Sequence, residues 1–171
     1  MALNAKLTTS IVATQTGPND FISRFTPEII QSLTLADGTA ANQANMLFCD
    51  QRTVAGASND DIDLSGVLTD AFGTAMAMVE IVSVMIINAP ASGAANTTNL
   101  TIGAATNPFI GFLGGTTPTV GPIGPGGAFM IMCPSTSGVG TVVTATGDIL
   151  RVANSAGASA TYQIAIVARS A

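Results

Sequence analysis

Three acidic residues lie close together in this sequence and are the first candidates for chemistry. Asp60, Asp61 and Asp63 are near neighbours, and Asp70 follows shortly after them. Carboxylates at such spacing can contribute to a Ca²⁺ site or supply the acid and base of glycoside hydrolysis. The segment lacks the glycine and the ligand spacing of a calcium loop, and the chain has no tryptophan and a single tyrosine to stack on a sugar. We interpret these aspartates as the solvated face of a strand, and whether they bind an ion stays open.

Other catalytic arrangements lack a necessary residue. The chain has no histidine, which excludes Ser-His-Asp and Cys-His catalysis and His-ligated zinc. A Ser-Lys pair would depend on Lys6, the only lysine. The glycine-rich segment Gly121–Gly127 (GPIGPGG) contains two prolines, which donate no backbone hydrogen bond, and no lysine follows it, so it favours a tight turn over a phosphate loop. We predict that the protein is not an enzyme and has no catalytic, cofactor-binding or metal-binding residues.

The two cysteines, Cys49 and Cys133, match neither a metal-binding spacing nor a disulfide framework. A chain of 171 residues buries roughly 70% of its unfolded surface and folds without cross-links. We therefore predict two buried free thiols that are not joined to each other.

Charge is scarce and unevenly distributed. Charged residues make up 9% of the chain, against about 25% in ordinary soluble domains, and none lies between Ile81 and Gly147. This stretch is either covered by other subunits or presents a neutral Thr/Asn/Ser surface, as in many secreted and virion proteins. The net charge is −5 and the basic residues are scattered singly, which excludes nucleic-acid binding through a basic patch.

We expect no signal peptide, because the first ten residues lack a basic start followed by an apolar run. The most apolar stretch, Ala71–Ala91, contains Glu80, and a charge at the centre of a membrane span costs about 2.5–3.5 kcal/mol. The stretch therefore predicts a turn followed by a buried strand, with no membrane contact.

Short apolar and β-branched runs, separated by Gly, Pro, Asn and Ser clusters, predict an all-β fold. The predicted strands are Asn45–Thr53, Asn59–Leu64, Met78–Asn88, Asn99–Ala104, Pro108–Leu113, Thr119–Ile123, Ala128–Cys133, Thr141–Thr144, Ile149–Ala153 and Thr161–Ala168. Their number and spacing favour an antiparallel β-sandwich of the jelly-roll kind. It would occupy residues 36–171.

Residues 1–35 predict an extended N-terminal arm. Lys6–Thr14 has strand character, Gly17–Asp20 predicts a turn, and Thr26-Pro27-Glu28 predicts one helical turn with proline in its first position. The alternative is that Leu7–Thr14 is an integral strand of the sandwich.

Several short motifs follow one another in a familiar order. They are Thr39–Ala44 (TAANQA), Asp50–Ala55 (DQRTVA), Asp61–Gly66 (DIDLSG), Leu68–Gly73 (LTDAFG), Pro125–Gly127 (PGG), Gly147–Asn154 (GDILRVAN) and Thr161–Val167 (TYQIAIV). In this order the chain resembles small virion structural proteins of tailed bacteriophages and prophages, a group that includes capsid decoration, or cement, proteins. The resemblance spans residues 38–168, and the uncharged stretch departs from it. The resemblance implies no binding residue in this chain.

The resemblance implies a structural protein on the outer surface of the virion capsid, which stabilises the head by bridging subunits of the major capsid protein. Decoration proteins are commonly trimers, so we expect a homotrimer, formed mainly through residues 81–147, with the arm docked on the shell. The alternatives are a tail or fibre component and a host-surface or glycan-binding module. Position on the particle, oligomeric state, capsid partner and host stay open.

Overall fold

The computed structural model describes residues 2–18, 24–115 and 117–171. In this part of the chain, the secondary-structure elements are all β-strands. The prediction of an all-β fold is therefore confirmed. The strands are β1 Ala5–Val12, β2 Gln15–Thr16, β3 Arg24–Phe25, β4 Glu28–Leu35, β5 Met46–Val54, β6 Asn59–Asp63, β7 Leu68–Thr69, β8 Ala75–Met76, β9 Glu80–Ile87, β10 Leu100–Gly103, β11 Thr119–Ile123, β12 Ala128–Met132, β13 Gly140–Thr141, β14 Ile149–Asn154 and β15 Ala160–Arg169. Within the described ranges, no helix has the length and apolar character needed to cross a membrane.

Two larger antiparallel sheets contain most of these strands. One has the order β11-β10-β14-β6, and the other has the order β12-β9-β15-β5, with β13 also paired to β9. The eight long strands pair in a nested way: β5 with β15, β6 with β14, β9 with β12 and β10 with β11. The chain from β5 to β15 therefore resembles one long hairpin that is folded over into two sheets.

Apolar side chains of both sheets meet in one main core. Tyr162, Ile164 and Ile166 alternate along β15 and are buried, as the period of two in this segment predicts. Leu150 and Val152 of β14 lie in the same core. Burial of each such side chain is worth about 1.5–3 kcal/mol. Among the described residues, none before Met46 belongs to this core.

The strands β1 and β4 form a separate two-stranded sheet, paired from Ala5 opposite Leu35 to Val12 opposite Glu28. The short pair β2–β3 follows further along the same chain segments. We call these four strands the hairpin arm. The segment Leu7–Thr14 therefore belongs to neither of the two large sheets of the sandwich. The predicted turn Gly17–Asp20 lies partly outside the described residues.

A small second core holds the base of the hairpin arm against the sandwich. Leu35 is fully buried there with Val82 of β9 and Val167 of β15, and Leu7 and Leu33 pack against them. Val167 alternates with the core residue Ile166, so this contact is on the outer face of the five-stranded sheet.

Three local predictions are wrong. The predicted strand Thr141–Thr144 is one of them, because β13 ends at Thr141 and the rest of the segment has only an isolated bridge at Val143. Thr26-Pro27-Glu28 starts no helical turn, because β4 begins at Glu28 and takes part in the pairing with β1. Pro108–Leu113 is not a strand: Phe109 is buried and donates its N–H to Ile149, and a turn follows in which the N–H of Leu113 bonds to the carbonyl of Ile110. The buried ring of Phe109 explains the apolar pattern of this segment without a strand.

Candidate assembly surface

Asp60 is the centre of a polar network that joins the two large sheets. The guanidinium of Arg52 donates to both carboxylate oxygens, at 2.6 Å to Oδ2 and 2.7 Å to Oδ1, and the hydroxyl of Tyr162 donates to Oδ2 at 2.8 Å. Burial alone raises the pKa of Asp60, but hydrogen bonds from Arg52 and Tyr162 outweigh burial and hold the pKa below its ordinary value. A carboxylate kept charged and fully partnered in this way acts as a structural tie between β5, β15 and β6.

Asp61 and Asp63 extend from the opposite face of β6. Asp61 accepts two hydrogen bonds from Arg151, at 2.6 and 2.7 Å, which lower the pKa of Asp61. Asp63 accepts from the backbone N–H and the hydroxyl of Ser65, both at 2.8 Å. The interpretation as a solvated strand face therefore suits Asp61 but is wrong for Asp60, which lies between the sheets.

The aspartates are divided among different arginine and serine partners and do not converge on one point. Among residues 2–18, 24–115 and 117–171, no group of three or more His, Cys, Asp or Glu side chains is arranged to hold a metal ion. The fourth aspartate of the group, Asp70, instead accepts the N–H groups of Phe72 and Thr74, each at 2.8 Å, in the turn before β8.

Arg169, at the end of β15, is fully buried. Its Nη1 donates to Glu80 at 2.8 Å and to the carbonyl of Thr136 at 2.9 Å, and its Nε donates to the carbonyl of Gln43 at 2.9 Å. The side chain thus ties two loops to the end of the sheet. Its network is structural, and nothing in the sequence distinguished this arginine from the others.

The two cysteines are free, but the prediction that they are buried is wrong: Cys49 is exposed and Cys133 is half-buried. Cys49 lies on β5 and Cys133 directly follows β12, at opposite edges of the five-stranded sheet. Three strand spacings of about 4.8 Å separate these edges by roughly 14 Å. A disulfide requires Cα atoms within about 7 Å, so the two thiols of one chain cannot pair.

The remaining chemical candidates have structural positions. Lys6 lies in β1 opposite Thr34, with its side chain on an exposed face of the hairpin arm. The glycine-rich segment connects β11 to β12 through a turn in which the N–H of Gly127 bonds to the carbonyl of Gly124 at 2.9 Å. The tight turn predicted for this segment is confirmed.

The outer half of the hairpin arm is the most unusual surface of the molecule. Ile11, Val12, Ile29 and Ile30 are exposed, and so is Phe25 of β3. Ile11 lies directly opposite Ile29, with 67% and 69% of their surfaces exposed. We call these five residues the distal tip.

Apolar side chains occur on both faces of the distal tip, since side chains alternate along a strand, and Glu28 lies opposite Val12 on one of these faces. The pair Ile11 and Ile29 continues the face whose base, Leu7 and Leu33, packs on the sandwich. Val12 and Ile30 are on the other face, which nearer the base carries the hydrogen-bonded pair Thr8 and Ser32. The change from covered to uncovered apolar residues therefore occurs partway along one continuous sheet.

An isolated two-stranded sheet is at best marginally stable in water, and large exposed apolar patches mark interaction sites. The distal tip combines both features, so it is the best candidate for a surface that another chain covers.

For part of the uncharged stretch from Ile81 to Gly147, burial within the single chain explains the lack of charge more simply than a covering partner does. Most of β9 is buried within this single chain, including Ile81, Val84 and Ile86. Its lack of charge therefore requires no partner. Exposed apolar residues do occur here, at Ile110 and Val143, but they are fewer than on the hairpin arm.

A scan against models of protein families found no match, and neither a search of curated proteins nor a search of solved structures found one. Arguments about function therefore depend on the residues and geometry of this chain.

Sequence reasoning missed the distal tip. The signal was present, because Lys6–Val12 (KLTTSIV) and Glu28–Leu35 (EIIQSLTL) are two β-branched runs of similar length on either side of a Gly-Pro turn. Two such runs favour pairing, but the 15 residues between them exceed the two to five of an ordinary hairpin loop. Pro27 instead led to the prediction of a helical turn.

Proposed function

We propose that this chain is a structural protein of a tailed-bacteriophage virion, most specifically a capsid decoration protein that stabilises the shell by bridging its subunits. The observation that carries the proposal is the distal tip of the hairpin arm. Exposed apolar side chains on both faces of a two-stranded sheet suit a subunit of an assembly, which uses such a surface to bind its neighbours.

The strand pairing supports the same proposal. We infer that the sandwich is a jelly roll, because its eight long strands pair from the outermost to the innermost as one folded-over hairpin. Jelly rolls occur in viral capsid proteins, and also in lectins and cupins. Since a fold alone does not define a function, this observation is secondary to the hairpin arm.

The segments that resemble virion proteins also lie together in space. Asp50–Ala55 is part of β5 and its end, which pairs with Thr161–Val167 of β15. Asp61–Gly66 begins in β6, which pairs with Gly147–Asn154 through β14. Two ion pairs, Arg52 with Asp60 and Arg151 with Asp61, are located on these strands. The resemblance therefore concerns the paired strands that build the sandwich.

The mechanism of such a protein is physical. Packaged genome presses outward on the shell, and added subunits that contact neighbouring capsomers resist their separation. Each contact needs only modest affinity, because an oligomer with several contact points gains from the high effective concentration of the second and third.

Electron cryomicroscopy of phage particles purified from cells that produce this chain tests the proposal. We expect density for the sandwich at regularly repeated threefold positions on the outer shell. Density in a sixfold or helical ring of the tail would replace the decoration role with a tail role. Absence of the chain from purified particles would overturn the proposal.

A further inference from the structure

An apolar groove lies beside the base of the hairpin arm. Its volume is about 420 Å³, and its apolar lining is Leu3, Met46, Leu47, Phe72 and Met76. We call it the basal groove. The side chain of Phe72 at its edge is 74% exposed. For comparison, a cavity of about 150 Å³ in a protein core accommodates benzene, so the groove has room for more than one large apolar side chain.

We propose that the basal groove of one copy binds the distal tip of the hairpin arm of a second copy. This inference rests on the proposed function, because it names the partner of the surface that supports that function. In this proposal, the distal tip and the basal groove replace residues 81–147 as the surface of self-association. The arm binds a sister subunit and not the shell.

Each of the five residues of the distal tip has half or more of its surface exposed. Each partner of a standard stable interface buries about 800 Å², so the tip supplies part of such an area. The groove edge adds the exposed residues Phe72 and Leu47. A tip with apolar side chains on both faces suits insertion into a groove, where two walls cover them.

Charge distinguishes a second copy from other partners. Within residues 1–35, Lys6 and Arg24 balance Asp20 and Glu28, whereas residues 36–171 carry three arginines against eight acids and therefore the whole net charge of −5. Those three arginines are all in ion pairs of the sandwich. In the described residues, Lys6 and Arg24 have no such pair. Residues 1–35 are therefore neutral against a sandwich of net charge −5, and Arg24, beside Phe25, is the cation of the distal tip that an acidic sandwich attracts.

One charge lies at the groove itself. Asp70 lines the basal groove, and Arg24 is next to Phe25 in the distal tip. The backbone N–H groups of Thr74 and Phe72 hold the pKa of Asp70 below its ordinary value, so this carboxylate is charged at neutral pH and can attract the arginine of an incoming arm.

The tip of a chain cannot fill its own groove. The groove contains Leu3, just before β1, whereas the tip begins at Ile11 near the far end of this extended strand. At about 3.3 Å per residue, β1 alone spans roughly 23 Å. Tip and groove are thus different surfaces at opposite ends of the arm, and their contact is head-to-tail. Such contacts close into rings, of which a trimer is one, when the rotation between copies permits.

Two single substitutions separate the partners of this contact. Ile29→Asp places a charge on the tip, and Phe72→Asp places one at the groove edge. Both side chains are exposed in the single chain, so each variant should keep the circular-dichroism melt of the sandwich. Thr8→Asp, which adds the same charge on an exposed polar position of the arm, is the matched control. Sedimentation velocity at micromolar concentration measures the oligomeric state.

We expect an oligomer for the unchanged chain and for Thr8→Asp, and monomers for Ile29→Asp and for Phe72→Asp. Mixing the two monomeric variants restores one intact tip and one intact groove, so a one-to-one dimer should form but no closed ring. If a variant fails to fold, Ile11→Asp at the tip or Leu47→Asp at the groove replaces it.

An oligomer that survives either substitution, or a mixture that stays monomeric, would overturn the inference. So would an unchanged chain that is monomeric, although imaging of particles would still decide whether the protein belongs to a virion. Loss of particle binding by Ile29→Asp without any change in oligomeric state would assign the tip to the shell, against the inference.

Discussion

Ile166 in β15 and Ile29 in β4 have the same side chain in the same kind of strand, but their surroundings are opposite. Ile166 is fully buried between the two large sheets, and 69% of Ile29 is exposed. The sandwich buries a main core of apolar residues between its sheets and pairs its three arginines. In the described part of the arm's outer half, the apolar residues are exposed and Arg24 has no ion pair. The sandwich therefore has the features of a finished domain, and the arm those of a part that another chain completes.

The largest effect is expected at the buried end of the sandwich. Arg169→Ala leaves Glu80 and the loop carbonyls without their donor, and removal of one partner of a buried ion pair costs about 3–5 kcal/mol. Urea unfolding followed by circular dichroism measures the loss. Arg169→Lys, which keeps the charge but not the several contacts, should lie between. A loss below about 1 kcal/mol for Arg169→Ala would show that this network is dispensable.

A matched pair of isoleucines tests the difference between the two regions directly. Ile166→Ala should lower the free energy of unfolding by about 2–5 kcal/mol, because it creates a cavity in a closed core. Ile29→Ala should change it little when the protein is diluted until it is monomeric, since no cavity forms. Pulse proteolysis in urea compares both at that dilution. Equal losses would mean that the arm is covered by its own chain.

The hydrogen-bond network of Asp60, which joins the two large sheets, should be sensitive to acid. Asp60 has a folded-state pKa below the ordinary value of about 4, so its contribution is complete above pH 4 and is lost as pH falls through the lower folded-state pKa. Asp60→Asn should cost about 1–3 kcal/mol at pH 7 and should lose less stability than the unchanged protein between pH 4 and 2. An unchanged acid profile would contradict the role of Asp60.

The smallest effect concerns the cysteines. Because Cys49 and Cys133 are at opposite edges of one sheet, an intact-mass measurement after alkylation in denaturant without reductant should find both thiols modified. Cys49→Ser, at an exposed position, should leave stability within about 0.5 kcal/mol. A chain with neither thiol modified would contradict the strand order.

The sequence was sufficient to predict the elements whose signals are local. The alternation of Tyr162, Ile164 and Ile166 predicts β15 and its buried face because neighbouring residues alone create the pattern. The β4 strand was missed since Pro27 is compatible with both a helix start and an extended strand, and only pairing with β1 decides between them.

The contacts of Asp60 could not be predicted from the sequence, for a related reason. Arg52, Asp60 and Tyr162 come from three strands, and their meeting depends on how the two sheets stack. Nothing near Ile11 or Ile29 in the sequence indicates that the sandwich ends beneath them, so their exposure could not be read from composition.

The oligomeric state of a chain without residues 1–35 tests the central claim, that the hairpin arm is an assembly surface on an independent sandwich. None of the described residues of the arm belongs to the main core, so the truncated chain should keep a cooperative thermal transition. Sedimentation velocity at micromolar concentration should find the full chain as an oligomer, with three copies expected, and the truncated chain as a folded monomer. A truncated chain that still forms the full oligomer, or one that loses its cooperative transition, would contradict the account.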